Sequence, residues 1–234
     1  MIKIAAYTTL GSSRLAANWI KSCVRLNIDD RVTVYCGDED SVNYLSYLNS
    51  RAALILRENN GKILTSIDYG TKEFGAYIGV GKMELMMELS SVDFTPHLFC
   101  DVDTVLLLDP EPYLKSLNGQ GVWMQSDVRF DIHARPQAIH SQYNPGVCYV
   151  KEPQTELWKF SRDYIIANNT VEDQSTTNAA IMHFGLNPDP LSPKFWRNGS
   201  QPWGDPGVIL VHANWIVGCQ AKEDKLKAAG YWFM

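Results

Sequence analysis

Short apolar runs alternate with helix-like segments through the first half of this chain, and that alternation constrains its fold more than any other feature. Residues 2–8 (IKIAAYT) read as a buried strand, short, apolar and β-capable. Gly11-Ser12-Ser13 ends it and offers a helix cap. From there Leu15, Trp19 and Cys23, with Ala16, Ile20 and Val24 beside them, recur at helical spacing. RVTVYC (31–36) reads as a second strand that stops at Gly37-Asp38 before a short helix, and AALIL (52–56) as a third. Strand, helix and strand in alternation predict an α/β fold, a largely parallel sheet with helices on both faces. Ligands of such sheets bind beyond the carboxyl ends of the strands.

The region 57–81, rich in Gly, Asn and charge, reads as loop before a helix over 82–90, whose Met83, Leu85, Met86, Met87 and Leu89 are core filler. HLFCDVDTVLLLDPEP (97–112) follows, an apolar strand interrupted by carboxylates. Further strands are expected near 121–125 and 146–151, and helices near 154–167 and 173–183. A Pro-, Gly- and Trp-rich stretch over 187–207 precedes a strand, GVILVH, and a terminal helix. Without internal repeat, low-complexity tract or linker, residues 1–234 read as a single domain.

Composition sets the bounds on function. At 234 residues and 45% hydrophobic the chain has ample material for a core, and disordered, collagenous and coiled-coil classes are excluded. A formal net charge of −5 with no basic run argues against nucleic acid, which needs clustered Lys and Arg. Five scattered cysteines with no CxxC pair fit buried thiols in a reducing compartment, so a cytoplasmic location is expected. The longest apolar run, VLLL at 105–108, is too short for a membrane span, and MIKIAAYTTLGSS does not read as a secretion signal. Oligomeric state is not legible.

The sharpest chemical feature is Asp101-Val102-Asp103, set between Leu98-Phe99-Cys100 and Leu106-Leu107-Leu108-Asp109-Pro110. Two carboxylates one residue apart are costly beside a core unless a cation compensates them. At a strand end both can face one divalent ion that also holds substrate phosphates. The alternative is a pair of solvated loop aspartates. Asp101, Asp103, Val105 and Leu106 also match the string of the haloacid-dehalogenase phosphatases, in which Asp101 would be the nucleophile and Mg²⁺ the cofactor. That motif usually opens its fold, whereas here about a hundred residues precede it. The downstream acidic pair is missing, Glu172-Asp173 being the nearest candidate.

Four pieces taken together, FCDVDTVLLLDP (99–110), YNPGVCYV (143–150), EDQSTTNAAI (172–181) and HANWIVGCQAK (212–222), explain more of the chain. In this order and spacing they resemble the nucleotide-diphospho-sugar transferases of the GT-A fold. Pro145 departs from that pattern, standing where such families often have a small residue. The resemblance implies a Rossmann-like single domain with a nucleotide-binding half over about 1–110 and an acceptor-side half over about 111–234. It also implies glycosyl transfer from a nucleotide-diphosphate sugar, UDP-sugars favoured, to a glycan or other hydroxyl acceptor.

What the resemblance implies for single residues follows. Asp101, Asp103 and His212 would hold Mn²⁺, with Mg²⁺ less favoured, since carboxylates plus imidazole suit manganese. Lys222 would reach the diphosphate, together with Gly218, Asn214 and the Val102 turn. Lys82 would be a base on the donor, since AYIGVGKM lacks the first Gly and the hydroxyl of a phosphate loop. Tyr7, Thr8 and Thr9 at the end of the first strand, and Asp38 after the second, would border the base and ribose. Asn144, Asp127, Asp173 and Gln174 would line the donor sugar and its anomeric face, though Asp173 also reads as a helix cap. The motif set is closer to retaining groups, with no committed base. Acceptor recognition would fall in 127–143, with Arg129, His133, Arg135 and His140, and in 187–207, with Trp196 and Trp203. Those two tryptophans are sugar platforms or packing anchors. A non-catalytic nucleotide-sugar-binding module is the remaining alternative.

Overall fold

The computed structural model describes residues 1–57, 72–91, 93–119, 121–127, 142–168 and 173–234, with side chains from Tyr77 onward in the segment beginning at 72. The N-terminal alternation becomes β1 (Lys3–Thr8), α1 (Ser13–Arg25), β2 (Val32–Cys36), α2 (Glu39–Ser46) and β3 (Ala53–Leu56), and the strands pair in parallel. α3 (Lys72–Leu89) leads to β4 (His97–Cys100), which pairs in parallel with the other edge of β1. Then come β5 (Thr104–Leu106), α4 (Glu111–Ser116), β6 (Val122–Ser126), β7 (Tyr143–Val150), α5 (Thr155–Asn168) and α6 (Asp173–His183). β8 (Asp189–Leu191), β9 (Trp196–Arg197), β10 (Leu210–His212) and α7 (Cys219–Ala228) complete the chain.

Seven strands form one sheet in the order β3-β2-β1-β4-β7-β6-β8, in which β7 runs against its neighbours. This is the α/β single domain with a mostly parallel sheet that the sequence predicts. A second sheet, β5-β10-β9, brings His212 to the end of β4. Leu15, Trp19 and Cys23 recur every fourth residue of α1 and are buried with Ala16 and Ile20. Each large apolar side chain so buried contributes about 1.5–3 kcal/mol.

Two local features depart from the sequence reading. α3 starts at Lys72, ten residues before the expected 82, so residues 72–81 are helix and not loop. Glycine disfavours helix locally, but tertiary packing overrides that preference. A Cβ on Gly79 would stand 3.2 Å from Ile165 Cδ1, so glycine lets α3 lie close on α5. The second feature is at Pro145. Met124 pairs with Cys148 but Gln125 pairs with Asn144, so residues 145–147 bulge out of the β6–β7 ladder. Proline has no N–H to give the ladder, and the bulge uses that fact.

Candidate active site

The bulge builds the site. Asp101 N donates to Gly146 O at 2.6 Å, and Thr104 closes the turn by donating to Asp101 O through its N (3.1 Å) and Oγ1 (2.7 Å). Ala213 N donates to Asp103 O at 2.9 Å, which ties the end of β10 to the same turn. Val102 is buried in the core, so its side chain anchors the turn while the aspartates on either side point away. Asp101, Asp103 and His212 each present a donor atom, all within 4.8 Å of one another.

Two lysines neutralise the carboxylates. Lys82, ten residues into α3, lies with Nζ 2.8 Å from Asp101 and 2.7 Å from Asp173. Lys222, one turn into α7, stands 2.6 Å from Asp103 Oδ2. The sequence reading puts Lys82 at a helix start and Lys222 on a diphosphate; the structure places both on acidic side chains. Burial raises the Asp101 carboxyl above its ordinary value, and the neighbouring Asp173 and Asp103 charges add to that while Lys82 opposes it. Burial would also raise Asp103, but Lys222 and His212 together hold it well below the carboxylate range.

The donor set fits a divalent ion. Two carboxylates and one imidazole suit a borderline cation such as Mn²⁺. The space is kept open by Gly146: a Cβ there would clash with Asp101 Oδ2 and lie 2.8 Å from Asn144 Oδ1 and 2.9 Å from His212 Cε1. Sequence reasoning did not single out Gly146, although it stands in the quoted YNPGVCYV.

Of the residues expected at the sugar, Asp127 and Gln174 come together. Asp127 Oδ2 accepts from Gln174 Nε2 at 2.9 Å, while Oδ1 accepts from Asn214 Nδ2 at 2.9 Å and Trp215 Nε1 at 3.0 Å. Asn214 Oδ1 in turn accepts from Gly199 N at 2.5 Å. Asp173 opens α6, where a carboxylate suits the helix dipole, and faces Lys82. Asn178, which the sequence reading passed over, locks α6 onto β7: its Oδ1 accepts from Tyr143 N (3.1 Å) and its Nδ2 donates to Tyr143 O (2.7 Å). Asn144 uses its Oδ1 to accept from Gly146 N at 2.8 Å.

At the end of β1 the picture is mixed. Tyr7 is buried in the second core, and burial raises its phenol far above the ordinary value. Thr8 is buried and meets Ser12 Oγ at 2.9 Å. Thr9 is also buried, and its Oγ1 has no hydrogen-bond partner among the described residues. Asp38, expected beside the ribose, caps α2 through Ser41 N at 2.7 Å and fixes the β1 loop through Leu10 N at 2.9 Å. Both its oxygens carry structural bonds, which tie the β1 loop to the start of α2. A cleft of about 750 Å³ opens alongside, lined by Leu10, Gly11, Tyr44, Val217 and Gly218 among others. Gly218, with φ 93°, is the residue before α7, a conformation that favours glycine.

Trp196 and Trp203 are packing anchors: both are buried, and Trp203 Nε1 donates to Asn198 O at 2.9 Å. Trp215 is instead half exposed, with φ 64°. Arg129, His133, Arg135, His140 and Glu172 lie outside the described residues.

A mostly parallel sheet ending in two aspartates and a histidine, with lysines on both sides, is the layout of a GT-A sugar transferase. The profile of the nucleotide-diphospho-sugar transferase family matches residues 27–226, and the chain belongs to that family. Solved structures agree on the fold. A galactosyltransferase LgtC in complex with donor and acceptor sugar analogues is 13% identical, with TM-score 0.55 over 100% of this chain and 97% of that one. Mouse xyloside xylosyltransferase 1, apo form, is 11% identical, with TM-score 0.55 over 94% of this chain and 98% of that one. No curated protein matches significantly in sequence. Family membership favours sugar transfer over phosphate-ester hydrolysis. No helix among the described residues is long and apolar enough to cross a membrane.

Proposed function

We propose that this transferase moves a sugar from a nucleoside-diphosphate donor, a UDP-sugar in the first instance, to a hydroxyl of a glycan or other acceptor, with retention of configuration. A divalent ion, Mn²⁺ or Mg²⁺, would be held by Asp101, Asp103 and His212. The observation that carries this reading is the convergence of those three donors within 4.8 Å at the carboxyl end of β4. Bound there, the ion would supply a Lewis acid for the charge that develops on the leaving diphosphate.

The chain's own residues supply the rest. Lys222 exchanges Asp103 for phosphate oxygens and so adds positive charge to the leaving group. Lys82 holds Asp173 and Asp101 at a fixed spacing, which keeps Asp173 oriented at the sugar. Asp127 orients Gln174 beside it. The cleft between Leu10, Tyr44 and Val217 receives the nucleoside, with buried Thr9 close by. Retention needs no protein base, because the departing phosphate can take the acceptor proton on the same face.

A thermal-shift screen of UDP-, GDP- and TDP-sugars with Mn²⁺ tests the proposal. Stabilisation by one nucleotide class that requires the ion supports it. Equal response to all classes, or none to any, rejects it. Binding without donor hydrolysis or transfer over a broad acceptor set would instead favour a non-catalytic module.

A further inference from the structure

We infer that Gln125 is the positioning residue for His212: a backbone carbonyl fixes its amide, and the amide fixes which imidazole nitrogen faces the two aspartates. The inference rests on the metal-dependent reading of the site, and it goes beyond the three donors.

Gln125 is fully buried on β6, at the register shift opposite the Pro145-Gly146 bulge. A bulge re-aims side chains relative to a regular ladder, and Gln125 bridges the two sheets. Its Nε2 donates to Trp196 O in β9 at 3.4 Å, and its Oε1 lies 2.7 Å from His212 Nδ1 in β10. Reversing the amide would set its oxygen against the Trp196 carbonyl, two acceptors face to face. The carbonyl therefore selects the amide orientation with Oε1 toward the ring. An oxygen can only accept, so Nδ1 must carry the proton.

When the ring is neutral, that leaves its lone pair on Nε2, which is 3.2 Å from Asp103 Oδ1. Lone pair and carboxylate repel across that distance unless a second proton or a metal ion stands between them. The amide thus prepares His212 as a ligand with its free nitrogen pointing at the shared position. A neutral partner does this without another negative charge in a site that already has Asp101, Asp103 and Asp173. Outer partners of metal-bound histidines act in this way, and their loss typically costs about 10–100-fold in metal affinity.

Two measurements test it on the full chain. The first is ¹⁵N NMR of the His212 imidazole at alkaline pH, assigned with His212→Gln. The expected result is a proton on Nδ1 in the wild type and loss of that preference in Gln125→Met. A wild-type ring protonated on Nε2 overturns the inference, whatever the metal does. The second is Mn²⁺ affinity by electron paramagnetic resonance, beside melting temperature, for Gln125→Met and Gln125→Glu. Methionine should weaken Mn²⁺ about 10–100-fold. Glutamate keeps the acceptor on Nδ1, so it should hold Mn²⁺ at wild-type affinity or tighter even though it buries a charge beside the Trp196 carbonyl and melts earlier. Affinity that merely follows melting temperature in both variants shows a structural role alone and overturns the inference. A wild type that fails to bind Mn²⁺ while its Nδ1 carries the proton refutes the metal-dependent reading.

Discussion

Lys222 Nζ lies 2.6 Å from Asp103 Oδ2, on the very carboxylate that the proposed function gives to a divalent ion. The lysine and the ion therefore compete until a diphosphate gives the lysine another partner. On that proposal metal and nucleotide binding are coupled through this one contact.

Lys222→Met should separate the two affinities. Mn²⁺ alone should bind about tenfold tighter than in the wild type, because no ammonium has to leave Asp103. UDP in the presence of Mn²⁺ should bind about tenfold weaker, because a phosphate partner is gone. Each change corresponds to about 1.4 kcal/mol. Paired titrations measure both, and a loss of both affinities together would refute the exchange.

Gly146→Ala places a methyl group against Asp101, Asn144 and His212. Overpacking of this kind costs about 1–3 kcal/mol. The melting temperature should fall by several degrees, and Mn²⁺-dependent UDP binding should fall by more than tenfold. Unchanged binding in a folded variant would show that the space is not used.

Lys82→Met leaves Asp101 and Asp173 facing each other without their cation. Removing one partner of a buried pair costs about 3–5 kcal/mol. Both carboxylates are about a third exposed, so about 2–3 kcal/mol is expected here. The loss should shrink in acid, where protonation ends the repulsion. Chemical denaturation of both proteins across pH checks the sign.

A pH effect remote from the site comes from Asp29. Arg51 side-chain bonds, against the opposing effect of burial, hold its carboxyl below the ordinary value. Its stabilisation is present above the unfolded pKa of about 3.9 and is lost as pH falls through the lower native one. In Arg51→Met the backbone bond to Asp29 Oδ2 remains, so the cost at neutral pH should be small, as for an exposed pair, and vanish in strong acid. Transfer activity should not change.

The parallel half of the sheet is legible because each strand is a short apolar run, with Gly, Ser or Asp closing β1, β2 and β4. Asp101 and Asp103 are legible for a different reason: carboxylates beside apolar strands demand compensation, and His212 is legible only through the resemblance that HANWIVGCQAK carries. The start of α3 is not, since Gly79 reads locally as loop and only the approach of Ile165 explains it. Gln125 and Asn178 escape for a similar reason. Neither is unusual in sequence, and their roles depend on pairing with His212 and with the Tyr143 backbone across the fold. Trp196 and Trp203 show the converse case, aromatic residues in a Pro-rich stretch whose burial only the fold decides.

The most direct measurement of the central claim is calorimetric titration of UDP into the wild type and Asp103→Ala, each with and without Mn²⁺. The account predicts wild-type binding that strengthens at least tenfold with the ion, and an Asp103→Ala variant in which the ion makes no difference. Wild-type binding indifferent to Mn²⁺, or an undiminished Mn²⁺ effect in Asp103→Ala, would contradict it.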